Sequence, residues 1–138
     1  MSMSDYLEKS ILDHILTATG YTSPNATLHL ALFTADPTDA NTGGEVDTVV
    51  DDTAYARQTI AFDAANATEG TSASNTAQPF AAVVYGSAAA EYDVTHFGIY
   101  DALTVGNLLY HAELTAPITR SVGQTLIFDA GNIVVSQS

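Results

Sequence analysis

The sequence has no cysteine and no tryptophan, and only three of its 138 residues are lysine or arginine: Lys9, Arg57 and Arg120. Without cysteine there is no disulfide, no thiol chemistry and no cysteine metal site, although the redox compartment stays open. Without tryptophan the flat side chain best suited to stacking on a sugar is missing. The scarcity of bases has the widest consequences. Sixteen acidic residues leave a formal net charge of −13, against a magnitude of about 2–8 for an ordinary small domain. Such a chain repels nucleic-acid phosphate and anionic lipid, so neither nucleic acid nor membrane is expected as a partner. Salt screens that self-repulsion, and a saline setting suits it. No apolar run approaches the roughly 20 residues needed to span a bilayer. The N-terminus is acidic and amphipathic, unlike a secretory signal peptide.

What is present is not the composition of a disordered acidic tail. Hydrophobic residues make up 46% of the chain and charged ones only 14%, which is enough apolar material for a core. The length fits a single domain, residues 1–138. Alternation is densest over Val94–Leu114. Phe97 and Ile99 oppose His96 and Tyr100. After a turn over Asp101–Gly106, Leu108, Tyr110, Ala112 and Leu114 oppose Leu109, His111 and Glu113. Period-two patterning with aromatics reads as an antiparallel pair at the centre of the core.

One helix is expected, over about residues 4–19. Ser4 stands at its cap, Asp5 and Glu8 lie in its first turn, and Gly20 is placed to stop it. Leu7, Ile11 and Ile15 form its apolar stripe. Strands are expected over Ala26–Thr34, Tyr55–Phe62, Pro79–Tyr85, Thr125–Phe128 and Asn132–Val135, and the DAGN run between the last two reads as a turn or bulge. Ala35–Thr53 is a long acidic loop that offers a short edge strand at Val46, Val49 and Val50, and Asp63–Gln78 is a second loop. The fold class is therefore mainly β: an antiparallel β-sandwich or jelly-roll-like barrel with one N-terminal helix and strands from about 26 to 135.

Chemistry is sparse. His96 and His111 fall on adjacent strands, but a zinc site needs further ligands, and no HxH or HExxH motif accompanies them, so both read as packed or hydrogen-bonded sheet histidines. Glu45, Asp47, Asp51 and Asp52 are hard oxygen ligands without the EF-hand spacing, and read as a solvated acidic loop. There is no GxSxG, no phosphate-binding glycine loop and no recognisable paired-carboxylate cleft. Asn25-Ala-Thr27 and Asn66-Ala-Thr68 match the glycosylation pattern, one that is common by chance. No enzyme, cofactor or metal is expected.

Read in order, SDYLEKSILDHIL, LHLALFTADPTD, YARQTIAF, VTHFGIYDA, GNLLYHAEL and FDAGNIVVS resemble a family of small tailed-bacteriophage virion proteins, often labelled tail-fibre-like. The resemblance spans nearly the whole chain and brings no catalytic residue set. It implies a non-enzymatic structural protein of the virion. A compact fold without repeats makes a poor stand-alone fibre. The expected role is therefore a capsid decoration or cement protein on the outer surface of the head. Its partners would be the major capsid protein and copies of itself as a dimer or trimer. The expected contact surfaces are Leu7, Ile11 and Ile15 on the helix, Asp36, Asp39, Glu45, Asp47, Asp51 and Asp52 in the first loop, and Glu69 in the second. A tail or tail-fibre component serving host adsorption is the alternative. A free carbohydrate-binding sandwich, offering seven tyrosines but no tryptophan, comes third.

Overall fold

The computed structural model describes residues 1–17, 20, 27–66, 68, 70–84 and 91–136. Its order of elements is β1 (Ser2–Met3), α1 (Asp5–Thr17), β2 (Leu28–Phe33), β3 (Gln58–Ile60), β4 (Thr71–Ala73), β5 (Gln78–Phe80), β6 (Glu91–Tyr100), β7 (Leu108–Ser121), β8 (Leu126–Phe128) and β9 (Val134–Ser136). A five-stranded sheet in the order β1-β7-β6-β2-β3 is antiparallel throughout, and two ribbons, β4-β9 and β5-β8, accompany it. The architecture is mainly β and sandwich-like. The sheet keeps two edges, β1 and β3, so the barrel form of the expectation does not hold.

Alternation decides which side chains meet. Leu30 pairs with Ile99 and Leu32 with Phe97 across β2-β6, and Ile99 and Phe97 pair with Tyr110 and Ala112 across β6-β7. All point to one face, where they join Phe80, Val83, Phe128 and Ile133 from the ribbon side in the main core. The opposite face carries a smaller cluster of Ala31, Phe33, Tyr100 and Leu108. Gly98 makes that cluster possible. A Cβ there would stand 2.7 Å from a methyl carbon of Leu108 and 2.9 Å from the Phe33 ring.

The central hairpin is longer and less regular than its sequence pattern. β6 begins at Glu91, and β7 runs on to Ser121 through Pro117. The register passes from Val94↔Ile118 to His96↔Glu113, so Leu114–Pro117 bulges opposite Thr95. Proline is tolerated there because a bulge frees its position from the ladder. A second shift, from Ile99↔Tyr110 to Tyr100↔Leu108, leaves Leu109 unpaired. That one extra residue turns Leu108 to the face opposite Tyr110, whereas simple alternation puts the two together.

The helix starts where its cap predicts. Leu7 N–H donates to Ser4 Oγ at 3.3 Å and Glu8 N–H to the Ser4 carbonyl at 3.0 Å, while Ser4 Oγ donates in turn to the Leu108 carbonyl. The apolar stripe does not stay down on the sheet. Leu7 is buried, Ile11 is half-buried, and Ile15 is 69% exposed. The burial is thus concentrated at the N-terminal end of the helix. Residues 18 and 19, just before Gly20, lie outside the described residues, as do 21–26 and 85–90 at the margins of two expected strands.

Candidate docking end

The long acidic loop is pinned to the sheet at a few points, though most of its residues are exposed. Past the end of β3 it takes over the edge of β2. Val46 N–H donates to the Leu32 carbonyl at 3.0 Å and Thr34 N–H to the Gly44 carbonyl at 2.7 Å, with a single bridge between Phe33 and Glu45. This bridge replaces the edge strand expected at Val46, Val49 and Val50. Val46 is buried, but Val49 and Val50 lie in an exposed turn. Asp47 caps that turn: its Oδ1 accepts from Val49 N–H at 2.6 Å and Val50 N–H at 2.8 Å, which hold the carboxyl below the usual carboxylate range.

Two arginines fasten the loop, one at its middle and one at its far end. Arg57 grips Glu45 in a fork, Nε to Oε1 at 2.8 Å and Nη2 to Oε2 at 2.7 Å. Its remaining nitrogen donates to the carbonyls of Ala102 at 2.9 Å and Val105 at 2.7 Å, and its guanidinium lies 3.5 Å above the Tyr100 ring centroid. Burial works against the charge of Arg57, but Glu45 outweighs it and the net shift is upward. Tyr55 completes the group. Its hydroxyl donates to Glu45 Oε1 at 3.0 Å and accepts from Leu32 N–H at 3.0 Å. Burial, reinforced by Glu45, pushes that hydroxyl far above the normal tyrosine range and keeps it a donor. The buried His29 nearby is pushed down, by burial first and then by Arg57.

At the loop's far end, Asp52 is sealed in the interior. Its Oδ1 accepts from the N–H groups of Ala54 and Val84, both at 3.0 Å, and its Oδ2 accepts from the Tyr92 hydroxyl at 3.1 Å. Arg120 Nη1 donates to the same Tyr92 oxygen at 2.9 Å and stands 3.7 Å from Asp52.

Arg57 also fixes the turn between β6 and β7. Asp101 accepts from the backbone N–H of Asn107 at 2.7 Å and from its side-chain amide at 2.8 Å. Val105 and Gly106 follow one another at φ 57° and 72°. A β-branched residue in the left-handed region is a true outlier. The turn holds Leu103 53% and Val105 85% exposed. Between this tip and the acidic loop lies an open cleft of about 490 Å³, lined by Glu45, Val46, Asp47, Thr48, Tyr55, Ala56, Arg57, Leu103, Thr104 and Val105.

On the same side of the sheet, His111 Nε2–H donates to Asp39 at 2.8 Å, and Asp36 stands 3.6 Å from its other ring nitrogen. His96 lies across from Glu113 and bonds Thr95, so the two strand histidines do not face each other as a ligand pair. Among the described residues no group of three or more histidines and carboxylates is placed to hold a metal.

The expected contact residues therefore separate. Leu7 and Asp52 are buried within the chain, and Glu45 is occupied by Arg57 and Tyr55. Asp36, Asp39 and Asp47 remain exposed, with Asp51 half-buried. Ile15 is exposed on the helix and Ile11 half-buried, neither lining the cleft, and Glu69 lies outside the described residues. Leu103 and Val105 were absent from the expected set. Two bare aliphatics inside a turn are the sequence signal that points to them.

No curated protein matches the chain. A family model does, from end to end. Described as podophage GP4 fiber I protein gp80, it covers residues 2–136; the chain belongs to that family, and with it to the structural proteins of the tailed-phage virion.

Proposed function

We propose that the chain is a non-enzymatic, fibre-type component of the phage tail, held in the particle by contacts at the end that carries the acidic loop and the β6-β7 tip. The observation that carries this reading is the family match over residues 2–136. The architecture agrees with it. A short sandwich with a rigidly fastened loop and tip offers a preformed surface, so docking costs little ordering entropy.

A second reading keeps the head-decoration role, with the major capsid protein and further copies of the chain as partners. It is favoured by the net charge of −13, which suits an outer surface and not one facing packaged DNA, and by the lack of the repeats that fibre shafts carry. Mass spectrometry of separated heads and tails distinguishes the two. A few copies per particle confined to tails is the expected result. Hundreds of copies on heads would replace it with decoration.

A further inference from the structure

The cleft beside the tip has walls of two kinds. Leu103 and Val105 supply exposed aliphatic surface on one side, and Asp47 supplies a carboxylate on the other. Oδ1 of Asp47 holds the Val49 and Val50 amides, and Oδ2 carries neither of those bonds. Nothing about the cleft has to be assembled on binding: Arg57 ties both walls together, through Glu45 on the loop and the carbonyls of Ala102 and Val105 on the tip. The tip also keeps a β-branched residue at positive φ and in solvent, a local cost that usually persists where something docks.

Charge selects the occupant. Each lysine and arginine of the chain already faces one of its own carboxylates: Lys9 with Asp13, Arg57 with Glu45, Arg120 with Asp52. The outside is left with a large surplus of carboxylates and no unengaged lysine or arginine. A second copy brings the same surplus and offers no such cation to Asp47. We propose that the cleft receives a lysine or arginine side chain from a loop of a different virion protein. Its aliphatic stem lies along Leu103 and Val105, and its cationic head meets Asp47 Oδ2. Long basic side chains are built for a site that is apolar along its length and anionic at its end.

This inference rests on the virion reading, and the experiment separates the two. A photocrosslinking residue replaces the exposed Thr104, and crosslinked peptides are identified in intact particles. The expected product joins this chain to another virion protein at a segment bearing lysine or arginine at the point of attachment. A product with a second copy of the chain, a segment without a basic residue, or a protein present in particles but uncrosslinked overturns the inference alone. Absence of the protein from particles overturns the virion reading, and the inference with it. As a second measurement, Asp47→Asn keeps the oxygen that caps the turn and removes the charge. It should weaken retention on particles about tenfold, with unchanged circular dichroism. Asp129→Asn, at an exposed carboxylate that lines no part of the cleft, should leave retention unchanged. Equal loss in both variants would show only general charge attraction and would overturn the inference.

Discussion

The two arginine clusters use the same parts differently. Each joins an arginine, a tyrosine and a carboxylate from the acidic loop. Around Arg57 the pair is a direct fork, with the arginine side chain 8% and the Glu45 side chain 27% exposed. Around Arg120 both charges are sealed, at 2% and 1%, and 3.7 Å apart, with the Tyr92 hydroxyl between them. The sealed cluster also leaves Arg120 Nε without a hydrogen-bond partner among the described residues. The first cluster spans three segments that meet at the surface and shapes the cleft there. The second has no surface to shape. It ties the loop's far end to β6 through Tyr92, to β7 through Arg120, and to the segment after β5 through Ala81 and Val84. A buried pair contributes little net stability against an apolar replacement, but breaking it is expensive. The sealed cluster should therefore govern whether the protein folds, and the half-open one how its docking end is held.

The largest effect should come from Arg120→Met. It strands the Asp52 carboxylate in the interior and removes the donors that serve Tyr92, Ala81 and Gln124. We expect a loss of about 3–5 kcal/mol in chemical denaturation. Adding Asp52→Asn should recover part of it, because an amide keeps the oxygen that accepts from Ala54 and Val84 and removes the unpaired charge. If the single variant loses less than about 1 kcal/mol, the sealed pair is no anchor and the contrast between the clusters fails.

Arg57→Lys should cost less, about 1–2 kcal/mol, because an ammonium still neutralises Glu45 but gives up the fork and the two tip carbonyls. Its signature is local. Amide exchange should quicken at Asp101 and Asn107, whose backbone groups close the turn, and stay unchanged across the β2-β6 ladder. Uniform acceleration would mean that Arg57 supports the whole fold and not its docking end.

Much of this frame is readable in the residues, and the unread part has definite causes. Phe97, Ile99, Tyr110 and Ala112 announce a central hairpin because aromatics and aliphatics at period two have few other uses. Its extension through Pro117 is hidden, since proline reads as a break until a bulge excuses it. The face taken by Leu108 is hidden as well: it depends on the unpaired Leu109, which turn geometry sets and composition does not. β4 escapes notice because Thr71-Ser72-Ala73 has no apolar alternation and gains its order from β9. Within the site, the partnership of Arg57 with a carboxylate follows from counting charges. The burial of Asp52 does not, since Arg120 and Tyr92 meet it only after the chain has folded back. Nor does a sequence display the φ angle of Val105.

A third, weaker tie joins the acidic loop to the sheet and tests whether loop charge is structural outside the arginine clusters. Hydrogen bonds from His111 and then Ser2 hold the Asp39 carboxyl below its ordinary value of 3.8. A carboxyl depressed in the folded state adds stability that is complete above the unfolded value and disappears as pH falls through the folded one. Asp39→Asn should therefore lower the melting temperature modestly near neutral pH and flatten its decline below about pH 4. Parallel acid limbs in the two proteins would remove Asp39 from the set of structural carboxylates.

The smallest change in stability, and the one that separates folding from docking most cleanly, is expected at Val105. A left-handed conformation costs an L-residue with a Cβ roughly 1–2 kcal/mol, and asparagine bears that cost better than valine. With 85% of Val105 exposed, its removal forfeits little burial. The carbonyl that Arg57 holds belongs to the backbone and survives the substitution. Val105→Asn should thus raise stability by up to about 1 kcal/mol, read as a higher denaturation midpoint with unchanged slope. The same substitution strips an aliphatic wall from the cleft, so retention on particles should fall while the fold gains. Opposite signs in the two measurements would show that the valine is kept for contact and not for the fold. If the variant is more stable and equally well retained, the tip is not the docking surface, and the exposed helix residues Leu12, Ile15 and Leu16 become the place to look.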